Sequence, residues 1–440
     1  MTQRNNLLFI ALALIILAAF LYFKTSSQEK TVIVAGTGNP GKILIYSFDG
    51  MNYKRSEIDT GYNLVWTVRI GDIYNKGKNV VVAGFGNSFF AQPFGCQLVA
   101  YEPIPNGWKK DVIDSNVDLR CKDIAIGDVY NNGKNQIVLG THGEGIINVY
   151  EWNGVKWNEQ EVERNFIAQM DNKENTNHRV PVENLTYDTI DQTAVHIVKI
   201  ADALNNGKNV IVATESSPLE FVGNTMSFVN IYISDGKNWN ETTVHEGKGL
   251  QDRSILIDDF DYSGKNKIAI GATPGKLLML QNNGNWSYTF IFNQSYDKNM
   301  KGLDFEDVYN NGKKEIVLAT GIPNALVYLL KWDGTKFQSS VIGNISQVFS
   351  NYNVIKNLSY NSLDVKAKDI DNDGKVEIVV AGEVDTSMGA TFTKSPYQFG
   401  WEATPYGFLV VYKFDGNNWN PQILDQNSVL GLTVGKLEIQ

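Results

Sequence analysis

A unit of four β-type runs recurs from end to end of this chain, and few folds can accept it. One copy spans Ile126 to Val162 and reads IGDVYNNGKNQIVLGTHGEGIINVYEWNGVKWNEQEV. Its head, an Asp followed by four residues and then Gly-Lys, begins at Asp72, Asp128, Asp202, Asp259, Asp307 and Asp369. After each head comes an apolar run, such as VVVAG from Val80 or EIVVA from Glu377, that reads as a strand. A second signal recurs independently: Asn-Gly or Asp-Gly followed closely by an aromatic residue, at Gly50, Gly107, Gly154, Gly236, Gly284, Gly334 and Gly416. These dipeptides supply the positive φ of a tight hairpin, and alternating apolar residues flank them, so each unit holds four strands.

Four-stranded units at a period of roughly 40 to 60 residues predict an all-β chain folded as a β-propeller, one sheet per blade. The hairpins outnumber the heads by one, which leaves one blade incomplete. The chain ends supply the remainder: TVIVAG from Thr31 enters at a second strand, and VLGLTVGKLEIQ from Val429 reads as a lone first strand. The expectation is a seven-bladed propeller of four-stranded blades over residues 31–440, its ring closed by pairing the N- and C-terminal strands so that no edge is exposed. The heads, the strands after them and the IGATPG run from Ile270 resemble the FG-GAP/VCBS repeats of integrin-α-type propellers. The resemblance covers most of the chain and implies the fold and a mostly extracytoplasmic setting. It leaves the function open, because propellers host adhesion, ligand binding and several chemistries.

Residues 1–30 stand apart from the repeats. Leu7 to Phe23 carries no charge and would span roughly 25 Å as a helix, close to the thickness of a bilayer core. This reads as one N-terminal transmembrane helix, residues 7–23, anchoring the ring through the short polar linker KTSSQEK. A cleaved signal peptide is the alternative, although its usual small-residue cleavage site is not evident before Lys24. The net charge of −9 and the lack of any basic block argue against a nucleic-acid partner. The two cysteines, Cys96 and Cys121, fall on one face of the ring in neighbouring blades. A disulfide is expected if the domain is extracytoplasmic; two free, half-buried thiols are the alternative.

The inner strands predict what the central channel contains. Counting back from each head Asp, the second and fourth residues are apolar and pack between blades, while the third (Arg69, Lys199, Asp304, Lys366) and fifth (Asp123, Asp364) point the other way. A channel of mixed charge should hold water and self-paired ions.

The six heads differ as metal loops. Calcium in such a loop needs oxygen ligands at positions 1, 3 and 5, a Gly at 6, a carbonyl at 7 and a carboxylate near 9. One copy meets this, with Asp369, Asp371, Asp373, the carbonyl of Lys375, and Glu377, so one Ca2+ is expected there. A weaker second loop has Asp259, Asp261 and Ser263, but Lys267 puts a cation where the last ligand should be. The other heads carry Tyr or Leu at position 3 and read as metal-free, their Asp bonding backbone N–H groups of the turn.

No nucleophile elbow, phosphate loop or dinucleotide fingerprint occurs, and the four histidines are not spaced as a metal triad. The long connections all open on the face opposite the heads and hairpins. They carry aromatic residues (Phe89, Phe90 and Phe94 on one; Tyr397, Phe399, Trp401 and Tyr406 on another) that either pack the loops or anchor a ligand. The function expected is a membrane-anchored, extracytoplasmic propeller that binds a macromolecular ligand, a partner protein or a surface glycan, on that face. The alternatives are a carbohydrate-active enzyme, lyase or glycosidase, on the same scaffold, and a structural envelope component.

Overall fold

The computed structural model describes residues 29–38, 41–62, 64–86, 95–115, 117–118, 120–164, 193–216, 226–248, 250–294, 300–321, 325–350, 359–385, 406–427 and 429–438. Every strand pair within them is antiparallel, and the sheets are built from consecutive strands. β1 (Glu29–Thr37), β2 (Gly41–Phe48) and β3 (Tyr53–Tyr62) form one set, completed by the last strand, β28 (Val429–Glu438). Next come β4 to β7 (Leu64–Gly71, Val80–Gly86, Gln97–Ile104, Gly107–Ser115) and β8 to β11 (Arg120–Gly127, Gln136–Gly143, Ile146–Trp152, Trp157–Arg164). β12 to β15 (Thr193–Ala201, Val210–Ser216, Met226–Ser234, Trp239–Lys248) and β16 to β19 (Gln251–Asp258, Lys267–Thr273, Lys276–Asn282, Trp286–Asn293) follow. The last sets are β20 to β23 (Met300–Glu306, Glu315–Thr320, Leu326–Trp332, Phe337–Asn344) and β24 to β27 (Ser359–Lys368, Glu377–Asp385, Tyr406–Phe414, Trp419–Asn427).

The first strand of each set packs on the first strand of the next: β28 on β4, β4 on β8, β8 on β12, β12 on β16, β16 on β20, β20 on β24, and β24 back on β28. The sheets therefore stand radially around a central channel in a closed ring, which is a β-propeller. Closure rests on the pairing of β1 with β28, which runs from Glu29 opposite Glu438 to Thr37 opposite Val429. Second strands lie between neighbouring blades on both faces, so β5 is buried at every residue, whereas the outer strand β7 alternates and is mostly exposed. The Gly ending the VVVAG-type run lets the next blade approach. A Cβ at Gly84 would sit 2.7 Å from the Cβ of Cys121, and one at Gly140 would sit 2.6 Å from Val195.

Each head connects the first and second strands of a blade, and each Asn/Asp-Gly connects the third and fourth. The head turns on a positive φ at its fourth residue, Asn at every copy but one, where Tyr262 takes its place. That Asn also reaches the next blade. The Asn131 amide donates to the carbonyl of Asn209 (3.1 Å) and accepts the Asn209 N–H (2.7 Å), while the Asn209 amide donates back to the carbonyl of Asp128 (3.0 Å). The same three bonds join Asn75 to Asn135 and Asn205 to Asn266. At the Asp259 head the Tyr262 hydroxyl substitutes, accepting the Lys314 N–H at 2.5 Å. The aromatic at the third position packs on the hairpin Trp of the next blade, as Tyr74 does with Trp157 (5.6 Å) and Tyr130 with Trp239 (5.9 Å).

The described residues contain one helix, α1 (Ile345–Ser350), which the repeat pattern did not foresee. It lies in the long connection before β24 and buries Ile345 and Phe349, the latter stacked on Tyr360 at 5.4 Å. No helix among the described residues is long and apolar enough to cross a membrane. Residues 7–23, the expected anchor, lie outside the described residues.

Candidate functional site

Below the channel mouth, the inner strands carry the ions that alternation predicted. The Arg69 guanidinium pairs with Asp123 and donates from Nε to the carbonyl of Ile124 at 2.8 Å. Lys366 pairs with Asp364 at 2.7 Å, and Asp304 accepts the N–H of Ala367 at 2.6 Å. Lys199 stands in the same belt, and burial pushes its ammonium down to about 8, against the pull of Asp123.

Toward the long-loop face the alternation breaks, and it breaks at the same place in every blade. The register slips by one residue between Val65 and Thr67, between Cys121 and Asp123, and between Val195 and Ile197. It slips again between Asp252 and Ser254, between Met300 and Gly302, and between Ser362 and Asp364. In the closing sheet, Leu430 is skipped against β1. The slip changes the parity of the strand, so Val65, Val195 and Met300 still bury between blades although three residues, not two, separate them from the next inward position. The extra residue joins the channel side. On successive blades it is Lys122, His196, Arg253 and Lys301; elsewhere in the ring it is Leu363, Leu430 and Trp66.

The slipped residues are thus Lys, His or Arg along one arc of the ring and Leu or Trp along the rest. The Lys122 ammonium lies 4.3 Å from the centroid of the Trp66 ring, and the buried Arg120 guanidinium lies 5.1 Å from it. His196 is 5 % exposed, its Nε2 is 2.6 Å from Ser216 Oγ, and its Nδ1 has no hydrogen-bond partner among the described residues. Burial holds its imidazole well below the ordinary value, and Arg253, Lys122, His142 and Lys301 add to the effect, so it is neutral. Sequence reasoning missed this ring because it assumed unbroken period-two alternation. The available signal was the spacing of apolar residues in LVWTV and AVHIV, which is three instead of two.

The heads show three ways of satisfying one loop. In five of them the Asp accepts two backbone N–H groups, as Asp128 does from Asn132 (2.8 Å) and Gly133 (2.7 Å), and Asp72, Asp202, Asp259 and Asp307 repeat this. In the Asp259 loop the Lys267 ammonium sits inside, 2.5 Å from Asp261 Oδ1 and 2.6 Å from Ser263 Oγ. In the Asp369 loop the fifth N–H, of Asp373, goes to Asp371 (3.1 Å) instead, and Asp369 Oδ1 is buried with no hydrogen-bond partner among the described residues. One carboxylate oxygen from each of Asp369, Asp371 and Asp373 lies within 4.8 Å of the others. Glu377 accepts the Ile370 N–H at 2.9 Å, and burial pushes its carboxyl up to about 7. Lys413 pairs with Asp371 from one side. An orphaned buried oxygen beside two further carboxylates fits a hard cation.

Cys96 and Cys121 form a disulfide, fully buried, with Cα atoms 4.9 Å apart. It ties the segment before β6 to the inner strand of the next blade, beside the channel mouth. Phe89, Phe90, Phe94, Tyr397, Phe399 and Trp401 lie outside the described residues, and Tyr406 opens β26 opposite Asn427.

No protein family matches the chain by sequence, and no curated protein does. Solved structures do match. A protein from Lactobacillus plantarum is similar over 93% of this chain and 100% of its own, at 8% identity and a TM-score of 0.55. A periplasmic gluconolactonase of Pseudomonas aeruginosa is similar over 93% of this chain and 99% of its own, at 10% identity and a TM-score of 0.51. A putative 6-phosphogluconolactonase of Bacteroides uniformis covers 93% of this chain with 100% of its own, at 9% identity and a TM-score of 0.51. At these identities the likeness is one of fold.

Proposed function

We propose that this chain is a seven-bladed propeller of FG-GAP/VCBS-type repeats, held outside the cytoplasm by a membrane anchor at residues 7–23, that binds a macromolecular ligand on its long-loop face. The ligand is a partner protein or a surface glycan. Seven blades are supported by the cyclic packing of β28, β4, β8, β12, β16, β20 and β24, and by the matching Gly hairpins. An extracytoplasmic setting is supported by the buried disulfide, since such bonds persist in oxidising compartments. Calcium is the proposed cofactor, held by Asp369, Asp371, Asp373, the Lys375 carbonyl and Glu377; it would neutralise crowded carboxylates and fix the loop.

The observation that carries the binding reading is the ring of register slips. Bulges re-aim side chains and cluster at functional sites, and here every one of them aims at the mouth on the face where the long connections open. A glycan array combined with pull-down from the cell surface, using the full chain, identifies the ligand. Phe399→Ala and Trp401→Ala should each weaken its binding by roughly 1 to 3 kcal/mol without unfolding the ring. Binding lost only in hairpin variants such as Trp239→Ala would place the ligand on the other face.

A second reading, a carbohydrate-active enzyme, centres on His196, whose Nε2 lies 2.6 Å from Ser216 Oγ, a histidine–hydroxyl pair in the blade core beside the mouth. Two of the similar structures bear gluconolactonase names, so hydrolysis of a sugar lactone is the first assay, beside cleavage of polysaccharides. Turnover abolished by His196→Gln with ligand binding kept would establish the enzyme reading.

A further inference from the structure

We propose that Asn285, Asn293 and Asn344 carry N-linked glycans, and that these cover the outer edges of β19 and β23, which have no charge of their own. The proposal rests on the reading that the chain lies outside the cytoplasm, and it names a modification that the setting permits.

The outermost strand of each blade has one unpaired edge, and such an edge invites another chain to add a strand unless something guards it. Charge is the usual guard here. β3 (YKRSEIDTGY), β7 (GWKKDVIDS), β11 (WNEQEVER) and β15 (WNETTVHEGK) carry charged residues along their length, and β27 (WNPQILDQN) carries Pro421 and Asp425. By contrast, β19 (WSYTFIFN) and β23 (FQSSVIGN) have neither a charge nor a proline. β19 in particular combines strand-forming apolar residues with no charge, the pattern of a segment prone to aggregate. It exposes Tyr288 at 50% and Phe290 at 48%, and β23 exposes Val341 at 55%.

These two strands, and none of the other five, end on the Asn of an Asn-x-Ser sequon, at Asn293 and Asn344. Asn is common in this chain, so the number of sequons means little; their place carries the argument. Both asparagines hold the same structural position, opposite the first residue of the third strand: Asn293 faces Lys276, and Asn344 faces Leu326. The register slip that skips Ile291 puts Asn293 on the face of Tyr288 and Phe290, and the slip that skips Ile342 puts Asn344 on the face of Val341. A glycan at either position would therefore rise beside the apolar side chains that its strand leaves uncovered. Asn285, in a third sequon, stands just before β19, so that strand has an acceptor at each end. Asn285 and Asn293 are exposed, whereas Asn344 caps α1 through Oδ1, which accepts the Gln347 N–H at 3.2 Å and leaves Nδ2 for the sugar.

The transfer joins Nδ2 to the anomeric carbon of an oligosaccharide activated as a lipid diphosphate. The anomeric C–O bond to phosphate breaks, the lipid diphosphate leaves with the electron pair, and the Nδ2 proton passes to a base of the transferase.

Peptide mapping by mass spectrometry, on the full chain purified from its native cells, tests this. The peptides that hold Asn285, Asn293 and Asn344 should each carry added saccharide mass. Asn285→Gln with Asn293→Gln, made in the same cells, should self-associate at lower concentration than wild type in sedimentation velocity, at an unchanged melting temperature. Adding Phe290→Glu to that pair should restore the monomer, because a charge then guards the same face. Asn293 or Asn344 found unmodified overturns the proposal, as does a double variant that stays as monomeric as wild type or one that Phe290→Glu fails to rescue. Unmodified asparagines in a chain whose Cys96–Cys121 disulfide maps intact would overturn it and leave the extracytoplasmic reading standing; unmodified asparagines with both cysteines reduced would overturn the two together.

Discussion

The Asp259 and Asp369 loops have the same backbone and nearly the same carboxylates, yet they neutralise them differently. In the Asp259 loop the residue at position 9 is Lys267, which is 5 % exposed and sets its ammonium against Asp261 and Ser263. In the Asp369 loop that residue is Glu377, which turns back to cap the Ile370 N–H and leaves Asp369 Oδ1 without a partner among the described residues. One loop carries its cation on a side chain; the other leaves a carboxylate oxygen buried without one, the position proposed above for calcium. The difference teaches that one residue at position 9, within a shared backbone, sets how the turn's carboxylates are partnered.

The largest effect should follow from removing the built-in cation. Lys267→Met leaves Asp259 and Asp261 facing each other uncompensated, and breaking such a partly buried pair costs about 3 to 5 kcal/mol. Urea unfolding should show that loss with or without calcium. Lys267→Glu should show it in chelator and recover in calcium, converting one loop into the other. A Lys267→Met protein as stable as wild type would break the comparison.

Next in size is the metal itself. Calcium at a hundredfold excess over its dissociation constant should stabilise the wild type by about 2.7 kcal/mol, read as a rise in melting temperature that chelation reverses. The response should disappear in Asp371→Ala, Asp373→Ala. If that double variant responds as wild type does, the site has been placed in the wrong loop.

Lys413 sharpens the contrast, because it pairs with Asp371 from outside the loop, and calcium bound as proposed would compete with it for that carboxylate. Lys413→Met should tighten calcium binding severalfold, on the order of 1 kcal/mol for a pair that is partly solvated. Titration calorimetry showing weaker binding would mean that Lys413 orients Asp371 and does not compete.

The smallest effect is a pH dependence confined to the Lys-filled loop. Burial would raise the Asp261 carboxyl, but the hydrogen bonds from Lys267 and Ser263 outweigh it and hold the group below its ordinary value. In the unfolded chain the carboxyl takes up its proton first as pH falls, so the stability from this group is complete above the ordinary carboxylate range and is lost below it. Asp261→Asn should therefore cost less stability in strong acid than at neutral pH. A cost that does not change with pH would remove the ion pair from the account.

Much of this was legible in the chain. The strands after the heads begin where the apolar runs do, at Val80, Gln136, Val210, Lys267, Glu315 and Glu377, because the turn on Gly and a buried period-two pattern leave little freedom of register. The position-9 reading separated Lys267 from Glu377 because a ligand's charge is a property of one residue. The Asn latches between heads were not legible. Asn131 and Asn209 are far apart in sequence, and an Asn in a turn is explained locally by its positive φ. Helix α1 escaped for a similar reason: it is too short for a periodic signal and is held by the burial of Ile345 and Phe349.

By itself the sequence determined the propeller, its closing strand pair and the chemical character of each head, because all three follow from short-range periodicity and from single residues at fixed offsets. Tertiary structure alone decided the channel mouth. Trp66, Lys122, His196, Arg253 and Lys301 are scattered over five blades, and each is re-aimed by a one-residue slip. Their meeting at one mouth depends on how neighbouring blades pack, as Cys121 packs on Gly84, and no single strand fixes that contact.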